Sequence, residues 1–333
     1  MPKTAKKNKV APAVKGGSLV SAILRVTGSA LASKGVSSYV TSYIPTGFPP
    51  LDSSMGGGIP VGRLTEIYGD ESSGKSTLGF SILAQAQKMG GTAILIETEH
   101  ALERNQLLRV GIDPEKLVIN SPESLEGVLQ TVEDYLRVAI ECNNKVPILL
   151  VFDSLAASSP DREVGSNYAD SQQPGTAAKL LSLGMRKIVP MLTKANAALV
   201  IINQKRDKIG VSYGEKSTTP GGRAIRFYAT FRLAMRRLQT IKSGDTPTGI
   251  MSEVFCAKSK ITNPFWRISL PIMFQTGIDA VSGALSAAIT DGVVRKRGRN
   301  YYYDDKAYSR VEILQLLKEG KIKLDDSKVE EQE

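Results

Sequence analysis

The sequence predicts an α/β protein with a mostly parallel central sheet, a short helix ahead of it and a small α+β domain behind it. Three observations carry that expectation. Between Leu64 and Gln204, apolar strand-like runs alternate with helix-like segments, the pattern of parallel strands joined by crossover helices. A glycine-rich stretch, GDESSGKST, stands directly between the first of those strands and the first of those helices. The composition, 41% hydrophobic and 23% charged, suits a chain that buries a core and excludes collagen-like, disordered and disulfide-stapled classes.

Charge and length narrow the field further. At 333 residues the chain has room for about two domains. Lys and Arg exceed Asp and Glu by 43 to 33, a net +10 that favours phosphate-bearing partners. No run approaches the length of an apolar membrane span, so no membrane partner is expected. Cys142 and Cys256 are the only cysteines, which points to a reduced, cytoplasmic setting and leaves no Cys/His zinc cluster. The N-terminus has no apolar stretch of the secretory kind.

Taken in order, residues 1–17 form a lysine-rich tail expected to be disordered, and Ser18 to Ala32 has apolar residues at helical spacing within an element assigned to 18–45. Thr46 to Pro60, rich in Gly and Pro, reads as a connecting loop that opens a core domain at 46–278. The core then runs LTEIYG strand, GKSTLGFSILAQAQKM helix, TAILIETE strand, ESLEGVLQTVEDYLRVAIE helix, ILLVFDS strand, KLLSLGMRKIVPMLTKA helix and ALVIINQ strand. The segments AIRFYATFRLAMRRL, GIMSEVFCAKSKI and FWRISLPIMF read as mainly strand. Residues 279–324 change to a helix, a hairpin around Lys296 to Asn300 and a second helix at Ser309 to Gly320, a small separate domain, before an acidic tail at 325–333.

The glycine-rich stretch fits the P-loop pattern, with Gly69, Asp70, Glu71, Ser72, Ser73, Gly74, Lys75, Ser76 and Thr77. Its glycines let backbone N–H groups curl around phosphate and the helix N-terminus adds a positive dipole. Lys75 then reaches the β- and γ-phosphates of ATP while Ser76 ligates Mg2+. The strand ILLVFD ends on Asp153 at the sheet edge where ligands bind in open α/β folds, making Asp153 a second magnesium ligand, direct or through water. A neighbouring strand ends in Glu97-Thr98-Glu99-His100, and one of its carboxylates can position and polarise an attacking water. Read without context, both are ordinary solvated loop acids. His100, the single histidine, reads as a structural loop residue, and no Ser/His/Asp triad presents itself.

With those residues in view, the run from Pro45 to Lys318 resembles the RecA-type recombinases, as a divergent bacterial or phage-encoded member. TGFPPLD, GIPVGRLTEIYGDESSGKST, ETEHAL, VFDSLAA, MRK, INQKRDKIGV, TTPGGRAIRFYA and KSKITNPF fall in the family's order. The resemblance implies a RecA-like ATPase core, an N-terminal helix that packs on the next subunit and a C-terminal domain that helps recruit duplex DNA. It implies that Glu99 activates the water with Glu71 nearby, and that Gln204 senses the γ-phosphate. It further implies that Lys258 and Lys260 complete the neighbouring subunit's ATP site in trans. Two cations two residues apart on a strand share a face and can neutralise charge developing on the transferred phosphoryl group. The bland alternative is an exposed strand face.

The same resemblance makes Asp161 to Gln173 and Lys205 to Gly222 the two DNA loops. Lys205, Arg206 and Lys208 supply phosphate contacts, Ile209 and Tyr213 wedge or stack against bases, and Gly221 and Gly222 allow close backbone approach. Ser182 and Arg186 match backbone-contacting positions, and Arg162, Lys179 and Arg223 complete the expected DNA surface. Three departures from the family pattern stand out: Gln106 replaces the adenine-stacking Tyr although Glu103 keeps the acid before it, Arg223 replaces an Asn, and Pro174 replaces a Met. The hairpin Arg295-Lys296-Arg297-Gly298-Arg299, followed by Tyr301, Tyr302 and Tyr303, resembles the duplex-recruiting domain.

The expected activity is that of a DNA-dependent ATPase, with ATP and Mg2+ as cofactors. It would form a helical homo-oligomeric filament on single-stranded DNA and exchange strands with double-stranded DNA. The rival is a nucleotide-switched recombination accessory without strand exchange, from which the two basic loops after Asp153 and Gln204 would distinguish it.

Overall fold

The computed structural model describes residues 40, 42–161, 175–207 and 217–322. The described chain opens with β1 (Tyr43–Ile44), α1 (Pro49–Met55) and β2 (Ile59–Pro60), β1 and β2 pairing antiparallel. It continues through β3 (Leu64–Gly69), α2 (Lys75–Lys88), β4 (Thr92–Glu97), α3 (Arg104–Arg109), β5 (Leu117–Asn120), α4 (Leu125–Glu141) and β6 (Ile148–Asp153). Next come α5 (Thr176–Lys194), β7 (Ala197–Gln204), β8 (Arg206–Asp207), β9 (Ser217–Thr218), α6 (Gly222–Tyr228), β10 (Phe231–Ser243) and β11 (Thr246–Lys258). The last part holds β12 (Arg267–Met273), β13 (Gly277–Ile278), α7 (Ala280–Thr290), β14 (Arg295–Arg297), β15 (Asn300–Tyr303), β16 (Lys306–Tyr308) and α8 (Arg310–Lys318).

Nine strands form the central sheet in the order β13-β12-β11-β10-β3-β7-β6-β4-β5. Strands β10 through β5 in that order run parallel, and β11, β12 and β13 add an antiparallel flank. The parallel strands are buried on both sides, so they read as continuous apolar runs, and period-two alternation decides which face each residue serves. In β6, Leu149 and Val151 join α1 and α2 in one core, while Ile148, Leu150 and Phe152 join α4 and α5 in the other. Each fully buried Leu or Ile stabilises the fold by roughly 1.5–3 kcal/mol. A third core gathers Leu285, Val294, Tyr301 and Ile313 from the C-terminal helices and hairpin. Gly283 of α7 admits the Phe48 ring, since a Cβ there would lie 2.5 Å from it.

The alternation expected between Leu64 and Gln204 is present with boundaries shifted by one to three residues at most ends. Two readings are corrected. Thr46 to Pro60 is not a plain loop: α1 begins on Pro49 and Pro50, where a missing N–H costs nothing in a first turn, and Gly56 ends it at φ 78. Ala224 to Tyr228 are helical rather than extended, because Gly221, at φ 92, turns the chain into α6 before β10 begins at Phe231.

Candidate functional site

The P-loop leaves the C-terminal end of β3 and enters α2 at Lys75. Gly69 is required by crowding, since a Cβ there would lie 1.9 Å from the Met235 carbonyl oxygen on β10. Gly74 caps α2 at φ 88, a left-handed conformation that glycine adopts without cost. The Ser73 hydroxyl donates to the Asp70 carbonyl at 2.8 Å, and the Ser252 hydroxyl of β11 donates to the Ser73 carbonyl at 2.8 Å. Lys75 is buried and donates through Nζ to the Asp70 carbonyl at 2.6 Å. Desolvation pulls its pKa down, opposed by the negative charges of Asp153, Glu99, Asp70 and Glu71. Asp70, Glu71 and Ser72 are exposed at the tip, and Asp70 pairs with Lys205 at 3.7 Å.

Beside the P-loop, β4 and β6 end in register, with Glu97 opposite Asp153. Thr98 fastens the two ends together: its N–H donates to the Asp153 carbonyl at 2.9 Å and its hydroxyl to the Ser154 carbonyl at 3.0 Å. The expected strand Thr92 to Glu99 stops at Glu97, and the chain bends through Glu99 and His100, the latter at φ 53. Buried Glu97 accepts the Glu99 N–H at 2.8 Å, so it shapes the bend. Glu99 is exposed and accepts the Ser154 hydroxyl at 2.7 Å. Asp153 is buried, its pKa raised to about 6 by desolvation, with the Ser76 hydroxyl opposing and the charges of Glu99 and Glu97 adding to the rise. Its Oδ1 has no hydrogen-bond partner. A buried carboxylate with a spare oxygen beside the Ser76 hydroxyl suits a hard divalent cation that takes its remaining ligands from water or phosphate, since among the described residues no three acidic side chains converge on one point.

A cavity of about 370 Å3 opens against Ser76, Thr77, Glu97, Glu99, Asp153 and Gln106. Gln106 on α3 therefore borders the same space as the P-loop serine. Glu103, the N-cap of α3, is exposed and stands outside the cavity lining. Gln204 ends β7 in register with Gly69, and its neighbour Lys205 donates its N–H to the Gly69 carbonyl at 3.1 Å.

The segments flanking the DNA-loop expectations leave this same edge. Asp161 is the last described residue after β6, and the short pair β8–β9 forms a stem after β7, with Arg206 opposite Thr218. Arg162, Lys208, Ile209, Tyr213 and Pro174 lie outside the described residues. Lys179 and Arg186 are exposed on α5, the Arg186 guanidinium donating to the Ser182 carbonyl at 3.2 Å. Gly222 and Arg223 are exposed at the start of α6, and Gly221 sits half-buried against Leu181 and Leu155.

Lys258 and Lys260 lie elsewhere. Because β11 runs antiparallel to β10, Lys258 stands opposite Arg232, whereas the P-loop begins at Gly69, opposite Met235. That offset along the strand is about 10 Å. Lys260 lies further on, its N–H bonded to the Thr230 carbonyl. The strand ends at Lys258, yet both ammonium groups share one side as expected. Lys258 donates to the carbonyls of Arg226 and Phe227 at 2.6 and 3.1 Å, and Lys260 to that of Phe227 at 3.0 Å, at the C-terminus of α6. Burial and the cations Lys260 and Arg232 lower the Lys258 pKa to about 8, with Glu66 opposing. Cys256, fully buried two residues earlier, directs its thiol to the Lys258 carbonyl at 3.3 Å.

Sequence reasoning passed over three polar residues inside the sheet: Glu66 on β3, Asn203 on β7 and Arg232 on β10. Glu66 and Asn203 are fully buried, and Arg232 nearly so. Their signal was a charged or amide residue interrupting an apolar strand.

Comparison with known proteins agrees with this arrangement. Residues 26–279 match the model of the RecA N-terminal domain. Protein RecA of Thermus thermophilus is 41% identical over 264 residues, 79% of this chain and 76% of the relative. Protein RecA of Clostridium tetani is 38% identical over 263 residues, 79% and 73% of the two chains, and that of Clostridium novyi 37% over 280 residues, 83% and 78%. A P-loop facing carboxylates across a parallel sheet edge, joined to this extent of similarity, shows that the chain belongs to the RecA family of recombinases.

Proposed function

We propose that this RecA-family chain is a DNA-dependent ATPase that polymerises on single-stranded DNA, pairs it with homologous duplex and exchanges strands, with ATP bound between successive subunits. The supporting observation is the position of Lys258 and Lys260. They stand about 10 Å along the strands from the level of their own P-loop and turn to the C-terminus of α6 rather than toward it, an arrangement that suits reaching a nucleotide held by a second copy. The alternative of an accessory without strand exchange draws no support from relatives named Protein RecA.

In this reading ATP takes the place of the Asp70 carbonyl as the acceptor for Lys75. Ser76 and Asp153 hold Mg2+, which supplies neutralisation of the phosphate charge when bound. Glu99, steadied by the Ser154 hydroxyl, orients water and accepts its proton, while Glu97 holds the bend. Gln204, beside Gly69 and at the root of the second DNA loop, relates phosphate to DNA. Lys258 and Lys260 of one copy stabilise charge on the neighbour's γ-phosphate. The domain at 279–324, with Arg295, Lys296, Arg297 and Arg299, takes the duplex, and a cytoplasmic setting supplies both ATP and DNA.

Steady-state ATP hydrolysis with and without single-stranded DNA, paired with electron microscopy in a non-hydrolysable ATP analogue, tests the proposal. Stimulated turnover and regular helical filaments are expected; DNA-independent turnover by discrete particles would overturn it.

A further inference from the structure

Inside the sheet, behind the P-loop edge, a buried polar chain crosses three strands. The Asn203 carboxamide donates to Glu66 Oε1 at 3.1 Å and to the Pro220 carbonyl at 3.0 Å, and its oxygen accepts the Gln204 N–H at 3.0 Å. Glu66 in turn pairs with Arg232, whose guanidinium lies 4.5 Å over the Tyr68 ring. Arg232 Nη2 is buried without a partner.

Asn203 is the odd residue in its strand. Positions Ala197 to Ile202 are apolar and buried, and Asn disfavours strands and costs free energy when desolvated. Packing alone would be served by Val or Leu. What Asn supplies is a rigid planar group whose two donors and one acceptor are all engaged, each with a different element: β3, the end of the second DNA loop, and the residue that ends β7. Pro220 directly precedes Gly221 and Gly222, the pair that turns the chain from that loop into α6. If the loop's exit shifts when DNA binds, the carboxamide cannot follow Pro220 and keep its bonds to both Glu66 and Gln204, because one rigid planar group makes all three hydrogen bonds. In a low-dielectric core a broken member of such a set is costly, so the chain favours discrete arrangements over gradual ones.

We propose that Asn203 is a positioning residue that transmits the state of the second DNA loop, read at the Pro220 carbonyl, to the backbone of Gln204. The proposal rests on the reading of Gln204 as the γ-phosphate sensor. Asn203 touches no substrate; it acts through Gln204 and is anchored by the Glu66–Arg232 pair.

The test compares wild type, Asn203→Ala and Gln204→Ala in full-length protein, measuring nucleotide affinity without DNA, affinity for a labelled oligothymidylate, and turnover with and without it. Asn203→Ala is expected to keep both affinities within about threefold while single-stranded DNA stimulation falls about tenfold, the scale of a typical coupling between sites. Wild-type stimulation in Asn203→Ala alongside its loss in Gln204→Ala overturns the role of Asn203 and leaves the sensor standing. Full stimulation in Gln204→Ala removes the sensor reading itself. Loss of both affinities together marks Asn203 as merely structural and also overturns the proposal. Amide hydrogen exchange on the wild-type protein answers the question without any variant that must fold: protection at Gln204 should change when the oligothymidylate binds, and unchanged protection there refutes the link.

Discussion

The P-loop edge and the lysine corner are opposites in charge. At the first, Glu97, Glu99 and Asp153 crowd one cavity and burial holds Asp153 up at about 6; at the second, Lys258, Lys260 and Arg232 gather and Lys258 is held down at about 8. Each region bears an electrostatic cost that a partner of opposite sign would remove. Within one chain they stand apart, Lys258 lying about 10 Å along the strands from the level of Gly69 and bonded instead to the C-terminus of α6. The difference teaches that the fold keeps an acidic cavity and a basic corner apart, and the proposed trans site would join the two.

Breaking the first half should have the largest effect. Lys75→Ala removes the buried P-loop cation proposed to meet the phosphates and is expected to abolish nucleotide-driven filament activation; wild-type-like nucleotide affinity and strand exchange in that variant would discard the P-loop assignment. Glu99→Gln should retain ATP binding but slow turnover by about 10²-fold or more, since an amide can align water and not take its proton. Unchanged kcat would move that role to Glu97 or Glu71.

Joining the halves sharpens the comparison most directly. Lys258→Ala/Lys260→Ala protein mixed with Glu99→Gln protein should regain part of the DNA-stimulated activity, because some junctions then hold one intact half from each parent. A mixture shown to co-assemble yet as inactive as either parent would return the lysines to an ordinary exposed strand end.

Much of this contrast was legible in the sequence, and for a physical reason. The P-loop, the strand ending at Asp153 and the carboxylates Glu97 and Glu99 after the neighbouring strand are short local runs, legible from their own residues, whereas the bend after Glu97 was hidden because the strand was expected to run on to Glu99. The lysine corner was legible only as a resemblance, since its position depends on β11 reversing against β10, a long-range pairing. The helix α6 was missed because Ile225, Phe227 and Tyr228 favour strands, and a left-handed Gly221 overrides them. The segment α1 was hidden by prolines and glycines that read as loop but cap a helix at its start and end. Glu66, Asn203 and Arg232 escaped because each gains its meaning from a partner on another strand.

A smaller effect concerns acid. Asp153 keeps a proton up to about 6 in the folded protein, whereas the unfolded chain releases it near 3.8, so metal-free stability falls as pH rises between those values and a bound cation offsets the loss. Magnesium-dependent stabilisation with a non-hydrolysable ATP analogue should therefore grow from pH 5 to pH 7, by up to about tenfold in affinity per unit below 6. Asp153→Asn should flatten that dependence in thermal-shift measurements, and an unchanged slope would remove Asp153 from the metal site. The smallest effect is at the other half: Lys260→Gln weakens the cap on α6 and should cost about 0.3–1 kcal/mol in denaturant unfolding. No measurable loss would show that the cap is idle in the free subunit.

Cys256 gives the molecule a built-in clock. Its thiol is sealed against the carbonyl of Lys258, while Cys142, the only other thiol, is exposed at the end of α4. A thiol reagent should mark Cys142 at once and Cys256 only when the core around it opens. The ratio of the two labelling rates therefore reports, without any probe added to the protein, what fraction of the time the core around Cys256 stands open.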